Sequence, residues 1–331
     1  MKSTKNKIIT VLLMMSLAIS IVSGCGKTDA NGNKTNIESA AGVDNGSLSN
    51  DSCVLSVGST KVTYSEYMIY AYILKSQYES TFTEDVWTYS LGNGSTIGME
   101  ALEEIVRLIT EIKVMQKEAT SQKISLAIEE KDDVTTRTTE FMKKIPADYV
   151  KQYGITQNLV NQVFSDNELA RKMYDIVTGK LSDTITDESA RQAKIQYLYL
   201  STKGMEAAEK TAVKTKADGL LKKAKKAKKF EVFAQEHTEA GQVEMNVDSS
   251  YAQQAIATAA LALGKKQMSG VVEAEDGYYI LYCLSPNDQE ATKLKKEQLL
   301  REGQDKLFSD TYNEWMKKYK VKVSTSLSDA K

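Results

Sequence analysis

Two hydrophobic periods divide this 331-residue chain, and the point where one gives way to the other constrains its fold more than any other feature. Over 99–119, Leu102, Ile105, Ile109, Ile112, Met115 and Ala119 recur at spacings of three and four. A helix collects such residues into one apolar stripe and leaves the Glu, Arg and Lys of the segment on the other side. Over 194–200 the pattern becomes Lys-Ile-Gln-Tyr-Leu-Tyr-Leu, the alternation of a strand. A chain with a helical first half and a β-containing second half is neither one bundle nor a set of repeated βαβ units, so the expected class is α+β.

The remaining segments fill in that outline. A short strand and turn from Cys53 to Thr63 lead into a helix that Thr63 is placed to cap, with Tyr67, Met68, Tyr70, Ala71, Ile73 and Leu74 along it. Further helices are predicted over 127–144, over 156–164 with Leu159, Val160, Val163 and Phe164, and over 166–181 with Leu169, Met173, Ile176 and Leu181. After the alternating strand come a lysine-heavy helix over about 205–229, a short helix from Phe230, and an Ala-rich helix from Gln253 to Leu263. Asp276-Gly277 sits between Val271-Val272 and Tyr278–Cys283 as the turn of a hairpin. A last helix over 288–319 offers Leu294, Leu299, Leu300, Leu307, Phe308, Tyr312, Trp315 and Tyr319 for burial. So apolar a helix needs a partner, and the economical one is the first helical region, with Val321-Lys322-Val323 beside the first strand and the β-containing part inserted between.

Composition excludes several chemistries. His237 is the only histidine, which removes a multi-histidine zinc site, the two-histidine iron site and a Ser-His-Asp triad elsewhere in the chain. No metal and no cofactor are expected. Forty-three basic against 44 acidic residues give no general attraction for nucleic acid. The lysine run Lys222–Lys229 has no interleaved aromatics for base stacking and reads as a solvated helix face. Glu129-Glu130 and Asp132-Asp133 read the same way. Cys53 and Cys283 leave two alternatives open, one disulfide or two buried thiols.

The N-terminus assigns a compartment. Lys2, Lys5 and Lys7 precede an uncharged apolar run, Ile8 to Val22, too short to span a bilayer comfortably, the layout of an export signal. The run ends Val22-Ser23-Gly24-Cys25, which resembles the lipobox of bacterial lipoproteins. That resemblance implies a signal peptide over 1–24, a lipidated Cys25 and attachment to the extracytoplasmic side of the cell membrane. Residues 25–52, rich in Gly, Asn, Ser, Asp and Thr, read as a flexible tether.

Several stretches then carry a wider resemblance: Val57-Gly58-Ser59-Thr60-Lys61-Val62-Thr63, Ala119 to Ile128, Phe230-Glu231-Val232-Phe233-Ala234, Leu261-Ala262-Leu263-Gly264 through Val271-Val272, and Asp276-Gly277-Tyr278-Tyr279-Ile280-Leu281. In that order, behind a lipobox and a tether, they resemble the exported foldases that join a helical chaperone domain, as in survival protein A, to a parvulin-type peptidyl-prolyl isomerase module. The Gram-positive foldase lipoproteins are the most similar group, and the resemblance covers roughly 54–325. It implies a helical chaperone domain over 53–188, an inserted parvulin-like domain with an antiparallel sheet flanked by helices over 189–285, and a C-terminal helix over 286–331 that completes the chaperone domain.

The same resemblance places the site residues. Tyr197 and Tyr279 stand where parvulins usually carry histidines, and Ala240 where they carry cysteine or aspartate, a position that is then not functional. Ala252, Ile256 and Met268 fall in the proline groove, and Tyr67, Tyr70, Ile105 and Leu108 would line a client cleft in the helical domain. Isomerisation crosses a barrier of about 18–20 kcal/mol by twisting and desolvating an imide, without a nucleophile, so loss of imidazoles does not by itself abolish it. The expected function is a membrane-anchored extracytoplasmic foldase or chaperone for unfolded exported proteins, with weak or no isomerase activity and with homodimerisation left open. The alternatives are an active isomerase in which the tyrosines replace the histidines, and a solute-binding lipoprotein.

Overall fold

Threonines open three of the helices. In the computed structural model, which describes residues 37–38, 47–92 and 94–327, Thr63, Thr96 and Thr156 each accept a hydrogen bond through the side chain from the backbone N–H three residues on, at 3.2–3.3 Å. They start α1 (Tyr64–Glu79), α2 (Ile97–Ser121) and α5 (Gln157–Thr178); α3 (Ile128–Lys144) and α4 (Ala147–Gln152) lie between. Cys25 and the signal peptide lie outside the described residues, and the tether is described only at Ile37–Glu38 and from residue 47. No helix among the described residues is long and apolar enough to cross a membrane.

The chain forms two compact units, one from residues up to Gly179 together with those from Asp305, the other Lys180–Gln304. In the first, the α2 stripe predicted from spacing is the centre of the core: Ile105, Ile109, Ile112, Met115 and Ala119 are buried. Val160, Val163, Phe164, Ala170 and Met173 of α5 join them. A small sheet closes this unit, with strand order β1 (Ile37–Glu38), β8 (Val321–Val323), β2 (Cys53–Val57), β3 (Thr60–Thr63). Its β8 runs antiparallel to β2, with Leu55 opposite Val323 and Val57 opposite Val321, so the tail does return to the first strand. Gly58 makes the β2–β3 turn at φ +57°, a conformation that favours glycine.

Two helices were predicted where α5 is one. The Ser165-Asp166-Asn167 triplet is polar, yet inside the helix Asp166 pairs with Lys113 at 2.6 Å, and Asn167 donates to the Tyr70 hydroxyl at 3.1 Å. Burial with partners replaces the solvent those side chains would otherwise need. Ile176, predicted as core, is 48% exposed.

The second unit is built on an antiparallel sheet of order β5 (Glu244–Val247), β4 (Ala193–Ser201), β7 (Gly277–Ser285), β6 (Met268–Ala274). Alternation gives the sheet two apolar faces. Leu198, Leu200, Tyr278 and Ile280 meet α6 (Ala207–Ala224) and α7 (Phe230–His237). Ile195, Tyr197, Tyr279 and Leu281 meet α8 (Gln254–Ala262). The hairpin turn needs Gly277, because a Cβ there would stand 2.1 Å from the Leu200 carbonyl oxygen. The α+β class and the inserted β-containing unit are therefore as the sequence predicts.

The last helix, α9 (Gln289–Met316), differs from expectation. Its residues up to Gln304 group with the sheet unit, where Gln192 N–H donates to Thr292 Oγ1 and Lys295 pairs with Asp248 at 3.2 Å. Only from Asp305 does it serve the helical unit, through buried Phe308 and Trp315, while Leu294 and Leu307 are exposed. The lysine-heavy helix ends at Ala224 rather than near 229. Cys53 and Cys283 are both buried and form no disulfide; burial pushes the Cys283 thiol pKa up.

Candidate functional site

The face of the sheet under α8 carries the residues of interest because the period of two places Ile195, Tyr197 and Tyr199 on one side of β4 and Tyr279 and Leu281 on the same side of β7. Register sets Tyr199 opposite Tyr279 and Tyr197 opposite Leu281. The Tyr199 and Tyr279 rings lie 4.7 Å apart, and Tyr197 and Tyr279 6.0 Å apart diagonally. Tyr251, Met245 and Ala240 complete the rim, half-buried against this cluster.

Polar groups hold the tyrosines in place. Tyr279 donates its hydroxyl to the Asp276 carboxylate at 3.1 and 3.3 Å, and Tyr199 donates to the Asp276 carbonyl at 3.0 Å. Tyr199 N–H donates to Thr238 Oγ1 at 3.0 Å and its carbonyl accepts from Glu239 N–H at 2.8 Å, so the 238–240 loop is sewn to β4. Burial raises the Tyr279 hydroxyl well above its ordinary pKa, and the Asp276 charge adds to it against a bond from the Gln253 side chain. Tyr197 is raised by burial and then by Tyr251. The tyrosines of this face are therefore neutral, with the Asp276 carboxylate beside them. The chemistry of the face suits packing against an apolar ring and excluding water from a peptide bond.

The structure brings Tyr197, Tyr279, Ala240 and Ile256 together, Ile256 being the fully buried residue that α8 turns onto the sheet. Two groove assignments are corrected. Ala252 is exposed, and its neighbour Tyr251 takes the place on the cluster. Met268 sits on the opposite face with Phe230 and Tyr282, because a register irregularity between Met268 and Val271 interrupts the alternation along β6. The predicted client cleft is also corrected: Tyr67, Tyr70 and Ile105 are no more than 4% exposed and Leu108 is half-buried, so they are core of the helical unit. Tyr251 and Asp276 were missed as site residues. The signal for Tyr251 was a lone aromatic in a polar stretch, and for Asp276 a turn residue beside an aromatic strand.

The single histidine is elsewhere. His237 is exposed at the end of α7, with its ring 4.4 Å from Phe233, which packs on the other face of the sheet. A concavity of about 470 Å³, away from the tyrosine cluster, is lined by Gln192, Asp248, Lys295 and Arg301 among others. In it Asp248 is already satisfied by Gln192, Ser250 and Lys295. Among the described residues no group of three His, Cys, Asp or Glu side chains is placed to hold a metal ion.

Residues 198–285 match the sequence family described as Rotamase, PPIC-type PPIase domain, so the sheet unit carries a parvulin-type module, as the resemblance implied. No curated protein matches the chain. Among solved structures, the foldase protein PrsA from Streptococcus pneumoniae is 17% identical over 78% of this chain and 91% of its own, with a TM-score of 0.31. PrsA from Lactococcus lactis is 16% identical over 84% of this chain and 98% of its own, with a TM-score of 0.33. A PpiC-type peptidyl-prolyl cis-trans isomerase domain is 20% identical over 30% of this chain and 94% of its own, with a TM-score of 0.26. At such identities and scores none of the three bears on what this chain does.

Proposed function

We propose that this chain is a membrane-anchored extracytoplasmic folding factor that acts on unfolded exported proteins, with a parvulin-type module of weak or no isomerase activity. The observation that carries the reading is the family match over 198–285 combined with the tyrosine-filled face of the same module. Twisting an X-Pro bond needs an apolar seat for the proline ring and a donor free to meet the imide or its carbonyl. Here Tyr197, Tyr199 and Tyr279 pack on one another where the seat would be, and the Tyr279 hydroxyl is committed to Asp276. A client's proline can rest on such a face more readily than be turned there. Anchoring rests on Cys25 and the apolar run before it.

The test is direct. Cis/trans rates on X-Pro peptides are measured with the mature chain, together with aggregation of an unfolded client. The reading expects rates near background and slowed aggregation; it fails if aggregation is unaffected. Mass spectrometry of the membrane fraction tests the anchor, with a diacylglyceryl group expected on Cys25 and lost in Cys25→Ser.

A further inference from the structure

Between α1 and α2 the helical unit carries an excursion whose surface is unlike the rest of it. Phe82, Tyr89, Leu91 and Met99 are 55%, 66%, 46% and 55% exposed, four of the nine large apolar side chains so exposed among the described residues. The excursion is ordered by its own contacts. Tyr78 packs on Phe82 and on Trp87 at ring distances of 6.3 and 5.2 Å, and Trp87 Nε1 donates to Glu79 at 2.9 Å. Ile97 N–H donates to the Tyr89 carbonyl and Leu91 N–H to the Ser95 carbonyl, so the chain comes back on itself at the start of α2.

The charges of the segment itself have one sign. Residues 76–106 hold no Lys or Arg and six acids, Glu79, Glu84, Asp85, Glu100, Glu103 and Glu104. Glu79 and Glu104 are met from outside the segment by Lys75 and Arg107. Glu84, Asp85 and Glu103 are exposed and have no cationic partner among the described residues; Glu103 stands one turn along α2 from Met99. Exposed apolar side chains gathered on one short excursion mark a contact site, and carboxylates without a cationic partner beside them select the partner's charge.

We propose that Phe82, Tyr89, Leu91 and Met99, with Glu84, Asp85 and Glu103 around them, form a docking surface for extended segments of unfolded polypeptide that alternate apolar and basic residues. This rests on the folding-factor reading and names which clients it takes and where. An anionic lipid surface is disfavoured by the same carboxylates, and self-association would bring like charges together.

The probe is a short unstructured fluorescent peptide alternating Leu or Phe with Lys, paired with one in which Glu replaces every Lys, titrated against the full mature chain. The wild type is expected to bind the Lys peptide about tenfold or more tightly than the Glu peptide, with the preference falling as salt is raised. Phe82→Ser with Tyr89→Ser should weaken the Lys peptide about tenfold or more. Glu84→Gln, Asp85→Asn and Glu103→Gln together, which touch no core residue, should abolish the preference and keep the fold. Unchanged binding in both variants, while the wild type still slows client aggregation, overturns this surface and leaves the folding-factor reading standing. Absence of both peptide binding and slowed aggregation removes the reading as well. A dimer or vesicle binding that disappears in the apolar variant, without peptide binding, also overturns the proposal.

Discussion

Lys113 shows what single residues contribute here. It is 3% exposed and lies 2.7 Å from Glu66 and 2.6 Å from Asp166, two carboxylates from different helices. Burial raises the Glu66 pKa even though Lys113 pulls it down, so the folded chain holds that proton more tightly than the unfolded one. The sign follows: this group's contribution falls as pH climbs above the ordinary carboxylate range. Replacing Lys113 by Met strands both carboxylates, and the expected loss is about 3–5 kcal/mol near neutral pH, shrinking as the pH is lowered and Glu66 protonates. Urea denaturation at two pH values measures it. Asp248 goes the other way: partial burial pushes it up, but Ser250, Gln192 and Lys295 hold it down to about 2. Its contribution is present above the ordinary Asp pKa and is lost as pH falls toward 2, and Asp248→Asn should flatten that acid limb in thermal melts. Neither partnership could be read from sequence, since a charged residue inside an apolar stripe looks like a solvated one until its partner, 53 residues away for Lys113 and Asp166, is placed beside it.

At the level of elements, the returning C-terminus carries much of the helical unit's integrity. Phe308 and Trp315 are buried, β8 pairs with β2, and Glu118, 2% exposed on α2, accepts from Lys318 at 2.9 and 3.0 Å and from Tyr319 at 2.8 Å. Glu118→Gln should cost about 1–3 kcal/mol, since it removes charge-assisted bonds from a buried acceptor. Truncation after Gln304 should make the helical unit sensitive to proteolysis while residues 180–304 stay resistant. The return was legible because Phe308, Trp315 and the Val-Lys-Val run have no other use. The split of α9 at 304 was not, because Leu294 and Leu307 carry the same helical spacing whether exposed or buried. The α2 stripe was legible residue by residue because period alone decides a long amphipathic helix. The groove residues were not: α8 is Ala-rich and the loop before it irregular, so an error of one residue exchanges exposed Ala252 for packed Tyr251.

The whole molecule holds a parvulin-type module with a tyrosine cluster on one sheet face, and a helical unit with an acidic, aromatic excursion. The neutral tyrosines have a pH consequence. With Tyr197 and Tyr279 pushed upward and His237 on the other side of the sheet, residual isomerisation should be flat between about pH 6 and 9, where a histidine-dependent enzyme would titrate. The measurement that tests the central claim most directly is the cis/trans rate on a panel of X-Pro peptides for the mature chain, Tyr197→Ala and Tyr279→Ala, beside client aggregation for the same three proteins. The account predicts rates near background for the mature chain and slowed aggregation by it. Strong acceleration by the mature chain that vanishes in both variants would contradict it and make the tyrosine face a working isomerase site.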